Sequence, residues 1–183
     1  MKLNRRDMLG ATGAGLTALG LLHAVPQAQA ALKRGDVFSK PSRMKVGLVT
    51  YNLAKDMDVD TLIDTCSKAH IQGVELRTTH AHKVEVNLSK EQRAEVKKKF
   101  QDSPVELMGL GSAFDYHTAD QSKLRKDIED TKAYILLAED VGASGIKVRP
   151  NGFPKEVPRE KTLEQIGKSL GEIARFGADH NVQ

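Results

Sequence analysis

At 183 residues, with 39% hydrophobic and 28% charged side chains, the chain has the composition of a globular protein, which excludes collagen-like and disordered classes. The net charge of +4 divides into a surplus of two within residues 1–30 and a surplus of two in all the rest, too little to argue for a nucleic-acid partner. Aromatic residues make up 4% and Trp is absent, so the stacking platforms of a single-strand binder are missing and a small-molecule protein is expected.

The chain opens with paired arginines, Arg5 and Arg6, ahead of a Gly- and Ala-rich apolar run from Leu9 to Leu22, then Pro26 and the small-residue site Ala28-Gln29-Ala30. This three-part layout reads as an export signal over residues 1–30, and the adjacent arginines point to the twin-arginine route and a periplasmic destination. The apolar run is about 14 residues, short of the roughly 20 that cross a bilayer, so no stable membrane span is expected. Residues 31–43, with Gly35 and Pro41 and no periodicity, read as a linker. Cys66 is the single cysteine, which excludes an internal disulfide, and its place on an apolar helix face reads as a buried thiol.

From Met44 onward a strand-then-helix unit repeats. MKVGLVTYN reads as a strand, followed by a helix with Leu62, Ile63, Cys66 and Ala69 on one face. IQGVELR is the second strand, and Ser89-Lys90-Glu91-Gln92 has the spacing of a capping box that opens the next helix. SPVELMGLGS is the third, before a long helix striped by Leu124, Ile128, Ile135 and Ala138 and stopped by Gly142. ASGIKVRPN is the fourth, before a helix carrying Leu163, Ile166, Leu170, Ile173 and Ala174. Taking Val46, Val74, Val105, Ile146 and Val182 as equivalent positions, the unit recurs every 28 to 41 residues, the length of one strand-plus-helix unit of an eightfold barrel. On this reading a fifth strand begins at Val182 and the chain holds about four units of a larger barrel.

Alternating strands and helices dictate a parallel sheet, because each parallel neighbour is reached by a helical crossover. An open, doubly wound sheet is the competing architecture, but GLVTYN lacks the glycine fingerprint of a dinucleotide site.

The leader NRRDMLG, the strand-end segments GVELR and GIKVRPNGFP, and the strand-helix repeat together resemble the sugar phosphate isomerase/epimerase group of xylose-isomerase-like TIM barrels, in an exported bacterial version. The similarity covers residues 44–183, the N-terminal half of such an α/β barrel, with the remainder missing from the chain. It implies a metal-dependent isomerase or epimerase that moves a proton between adjacent carbons of a carbohydrate. It also implies a divalent metal (Mn, Mg, Co or Zn) held by Glu, Asp, His and Glu near the ends of strands five to eight, positions outside this sequence. The half alone is expected to be inactive.

Strand parity then nominates side chains. If Val74 and Leu76 face the helices, Glu75 and Arg77 face the lumen; by the same parity Lys147 and Arg149 point in, Glu106 lies deeper, and Val49 and Tyr51 face inward with Asn52 at the rim. Charges inside a barrel must meet partners or a ligand. They form either a structural ion network, Glu75 and Glu106 against Arg77, Lys147 and Arg149, or a mouth that binds substrate oxygens. His117 after the third strand and His82 in the pair His80-Ala81-His82 are further substrate-contact candidates. An H-x-H pair in extended backbone could alternatively hold zinc, as in a metal-dependent phosphodiesterase or endonuclease. Gly109 and Gly111 could open backbone amides to a phosphate. No residue reads as a clear catalytic base, and a non-catalytic carbohydrate-binding barrel remains a third reading. The unpaired outer strands also favour self-association, with a homo-oligomer as one way to cover them.

Overall fold

A computed structural model describes residues 44–183, within a compact unit that spans Ser42–Gln183. The expected signal over residues 1–30 and the linker over 31–43 lie outside the described residues. Eight elements alternate strictly: β1 (Gly47–Val49), α1 (Val59–Lys68), β2 (Gly73–Arg77), α2 (Lys90–Gln101), β3 (Glu106–Gly111), α3 (Gln121–Val141), β4 (Ile146–Lys147) and α4 (Arg159–Asp179). The strands pair in parallel in the order β1-β2-β3-β4. That order never reverses, whereas a doubly wound sheet turns back on itself at a switch point. The architecture is the α/β arrangement of a partial barrel.

Local chemistry accounts for the element boundaries. Asp58 caps α1 by accepting from Thr61 N. Ser89 and Gln92 form the full capping box of α2, each side chain bonding the other's amide. Gly142 ends α3 in the left-handed conformation at φ 79°, the region where a Cβ is penalised.

The core lies between the sheet and its helices. Val74, Leu76, Leu107 and Leu110 from the strands meet Leu62, Cys66, Leu124, Ile128, Ile135 and Ala138 from the helices, all buried. Burial also pushes the Cys66 thiol pKa up, as suits a packed residue rather than a nucleophile. Two apolar patterns resolve differently from expectation. Ala69 caps α1 and is exposed, and in α4 the buried stripe is Thr162, Ile166, Ser169, Ile173 and Gly177 while Leu163 and Leu170 stay exposed.

The register also differs. Leu48, not Val46, stands opposite Val74, and Leu107, not Val105, stands on the other side of it. Beyond that pair β3 carries a bulge: Val74 pairs with Leu107 but Glu75 pairs with Gly109, so Met108 is an extra residue in β3. The bulge restores the helix-side alternation at Leu110 and turns Met108 over Gly47 and Gly73, where an added Cβ would lie 3.2 Å and 2.3 Å from its sulfur.

At the far edge, Gln183 N donates to Ser144 O at 3.0 Å and Ile146 N donates to Gln183 O at 2.8 Å. This is the bonding of a parallel neighbour to β4, and it places the expected start of a fifth strand against the sheet.

Candidate functional site

Val49, Arg77 and Lys147 are the last residues of β1, β2 and β4, so their side chains gather where the parallel strands end. With Tyr51 and Arg149 from the following turns they line one cavity of about 320 Å³ on the face away from the helices. Lys147 Nζ stands 2.5 Å from Glu75 Oε1 in an ion pair, although that oxygen accepts no hydrogen bond of good geometry. Gly111 makes this pair possible, since a Cβ there would lie 2.4 Å from Glu75 Oε1. The Arg77 guanidinium carbon lies 4.5 Å over the Tyr51 ring, a cation–π contact. The strand parity read from the sequence thus brings Tyr51, Arg77, Lys147 and Arg149 together, with Glu75 beside them.

Thr50, which the sequence did not single out, organises the strand ends. It is fully buried, and its Oγ1 accepts from Arg77 N at 2.9 Å. The hydroxyl hydrogen is then directed at His80 Nδ1, also 2.9 Å away. Burial and the nearby Arg77 and Lys55 charges hold the His80 pKa below its ordinary value. A buried Thr at a strand end bears no pattern in sequence that separates it from core filler.

Four expectations need correction. Glu106 opens β3 at the opposite end of the sheet, exposed and paired with Lys45 at 2.9 Å, so it takes no part in an ion network with Lys147. His82 is buried with both ring nitrogens committed: Nδ1 accepts from Val84 N at 3.0 Å, which leaves Nε2 to donate to Arg77 O at 2.8 Å. It braces the β2–α2 loop and offers nothing to a substrate, and the His80–His82 pair cannot act together on zinc. Asn52 sits exposed on the turn after β1, outside the cavity lining. Gly109 and Gly111 lie within β3, where the adjacent amides of Leu110 and Ser112 bond the carbonyls of Gly145 and Lys147.

His117 stands apart from the cationic cavity. It lines a second opening of about 530 Å³ with Asp115, Lys123, Gly152 and Phe153. Its Nδ1 is 3.6 Å from Asp115 Oδ1, and both atoms are buried without a hydrogen bond. The ring rests on Gly152, where a Cβ would come within 2.3 Å of Nε2. The intervening Tyr116 is held rigidly: Thr131 Oγ1 donates to Asp127 O, so Tyr116 OH donates to Thr131, and burial raises the Tyr116 pKa to about 12. Among the described residues no group of three or more His, Cys, Asp or Glu side chains is placed to hold a metal ion. No helix there is long and apolar enough to cross a membrane.

A family model described as xylose isomerase-like TIM barrel matches residues 63–183. The chain belongs to the xylose isomerase-like TIM barrel family. No curated protein matches it. Solved structures similar to this family member include the IolI protein with a binding zinc atom, with a TM-score of 0.65 and 15% identity over 76% of this chain and 50% of that one. A D-psicose 3-epimerase with D-tagatose from Clostridium cellulolyticum H10 superposes with a TM-score of 0.62 and 14% identity, with the same coverage. The probable 3-DHS dehydratase AsbF from Bacillus anthracis superposes with a TM-score of 0.58 and 17% identity over 76% of this chain and 50% of that one. At these identities the likeness concerns the fold alone. The chain spans about half the length of the barrels it matches, and the cationic cavity occupies the end of the strands where barrel enzymes carry their sites.

Proposed function

We propose that this protein acts as a carbohydrate isomerase or epimerase, with residues 44–183 supplying one half of the barrel and the substrate-orienting side of its pocket. The observation that carries the reading is the convergence of Arg77, Lys147 and Arg149 with Tyr51 at the C-terminal ends of parallel strands. Cationic donors at that position can hold sugar hydroxyls and stabilise negative charge that develops on a carbonyl oxygen when a neighbouring carbon loses its proton. Lys147, already paired with Glu75, is poised for an oxygen close to the sheet, and Tyr51 offers a flat ring and a hydroxyl for the sugar.

The described residues do not fit a metal site, so their part is binding and orientation. The zinc atom in one structural neighbour supports a divalent cation in the whole protein, with ligands from outside residues 44–183. The paired arginines and apolar run of residues 1–30 support export by the twin-arginine machinery to the periplasm.

The test is proton exchange: the protein encoded by the complete gene is incubated with ketoses in heavy water, with added Mn or Zn and again with chelator. Deuterium is expected at a carbon adjacent to the carbonyl, with loss under chelation. Absence of exchange across ketohexoses and ketopentoses with either metal contradicts the reading.

A further inference from the structure

Two openings share the ends of β3 and β4. The cationic cavity holds about 320 Å³, already the size of a small-molecule pocket, and the opening around His117 adds about 530 Å³. A single backbone segment serves both: Arg149 lines the first, Gly152 and Phe153 the second, and Arg149 N donates at 2.8 Å to the carbonyl of Phe114, the residue before Asp115. Three residues of chain carry Arg149 to Gly152, at most about 11 Å, so the two linings stand within the span of one two-ring ligand.

Their charges are opposite. The cavity gathers Arg77, Lys147 and Arg149 around Glu75, whereas the second opening sets three carboxylates, Asp115, Asp120 and Glu156, against one ammonium, Lys123. That negative surplus turns anions away and suits a neutral ligand whose hydroxyls donate to carboxylates. An aromatic platform lies among these groups. Phe153 is 44% exposed, and the guanidinium carbon of Arg159, the first residue of α4, stands 4.4 Å over its ring without itself lining the opening. The contact fixes the ring, which offers an apolar face to the C–H side of a sugar. His117 supplies direction. Its Nδ1 is buried 3.6 Å from Asp115 Oδ1, and the carboxylate favours the ring proton on Nδ1, which leaves Nε2 to accept from a ligand hydroxyl. Gly152 has no side chain to crowd the Nε2 edge.

We infer that the second opening is a subsite for a second, neutral sugar unit, so that the protein takes a disaccharide or similar glycoside with one ring in the cationic cavity and the next on Phe153 and His117. The first ring rests on the proposed isomerase reading; the second subsite stands on Phe153, His117 and the carboxylates around them.

Binding is measured by calorimetric titration of the complete gene product with D-fructose and with isomaltulose, turanose and lactulose, each a fructose carrying one neutral hexose at a different hydroxyl. At least one disaccharide is expected to bind about tenfold more tightly than D-fructose. Phe153→Ala, at a half-exposed position, should abolish that advantage and leave D-fructose affinity unchanged, whereas Phe153→Tyr, which keeps the platform, should retain both. The inference is overturned if no disaccharide binds more tightly than D-fructose, or if the advantage survives in Phe153→Ala shown folded by circular dichroism. Proton exchange in D-fructose without any preference for a disaccharide rejects the subsite and leaves the isomerase reading. Phe153-dependent disaccharide binding without proton exchange in any of the four sugars rejects the isomerase reading and leaves the subsite.

Discussion

His82 shows how a polar residue in a binding-competent sequence motif can be wholly absorbed by the backbone. Its ring closes the loop after β2 by bonding Val84 N and Arg77 O, and burial, the larger cause, holds its pKa below the usual 6.5 despite the favourable carbonyl contact. Because the unfolded chain takes up a proton near pH 6.5 and the folded one only at lower pH, the unfolded state binds more protons in between. Stability should therefore be complete above about pH 6.5 and fall as the pH drops below it. Urea unfolding at stepped pH should show that slope, reduced in His82→Gln and retained in part through His80, whose pKa is also lowered. An unchanged slope in the variant would remove His82 as its source. The site residues on strands behaved differently. Glu75, Arg77 and Lys147 were legible because side chains alternate strictly along a strand, and Arg149 because it follows β4 by one further period. His117 and Asn52 lie in loops and turns where no such period applies, and the sequence could not say which opening they would line.

Among the elements, β3 and the segment after α4 carry most of what the sequence left open. The boundaries of α2 and α3 were readable from Ser89, Gln92 and Gly142, since capping is local chemistry. The bulge at Met108 was not, because it is set by pairing with β2 rather than by residues next to it. In α4 the buried stripe sets Thr162, Ser169 and Gly177 between Ile166 and Ile173, and Gly177 is the tightest of the helix's glycines: a Cβ there would lie 2.6 Å from Val182 O, an atom of the backbone. Gly73 is formally tighter, at 2.3 Å, but its neighbour is the half-exposed and flexible Met108 side chain. Gly177→Ala should therefore cost about 1–3 kcal/mol, from displacement of Asn181–Gln183, and Gly73→Ala less than about 1 kcal/mol. Amide exchange at Ile146, whose N–H is held by Gln183 O, should accelerate in Gly177→Ala only. Equal protection in both variants would show that the terminal segment does not depend on the α4 contact.

At the scale of the molecule, the four-stranded sheet presents one face to its helices, and no other described element covers the opposite face. That face exposes Val49, Tyr51 and Met108 beside the cations, and an apolar cavity of about 400 Å³ lies between α3, α4 and the terminal segment, lined by Ile135, Ile146, Ile173 and Val182. Residues 31–183 expressed alone are expected to be aggregated, molten or dimeric, because outer strands with free amides and carbonyls template further pairing. Light scattering coupled to size exclusion, with a thermal melt, checks this; a monodisperse monomer that melts cooperatively contradicts it. Closing the barrel with a second identical copy would set six cations against two carboxylates in one lumen. Like charges would repel across that lumen, so a second copy is a poor closure for this face.

The most direct test of the site is the rate of proton exchange into the substrate adjacent to its carbonyl, followed by NMR in heavy water, for the wild-type complete protein and for Lys147→Met. Loss of at least about tenfold in the variant, with its circular dichroism unchanged, is the predicted result for a cation stabilising developing charge in the transition state. Equal rates in the two proteins would contradict the assignment of this cavity as the reacting site.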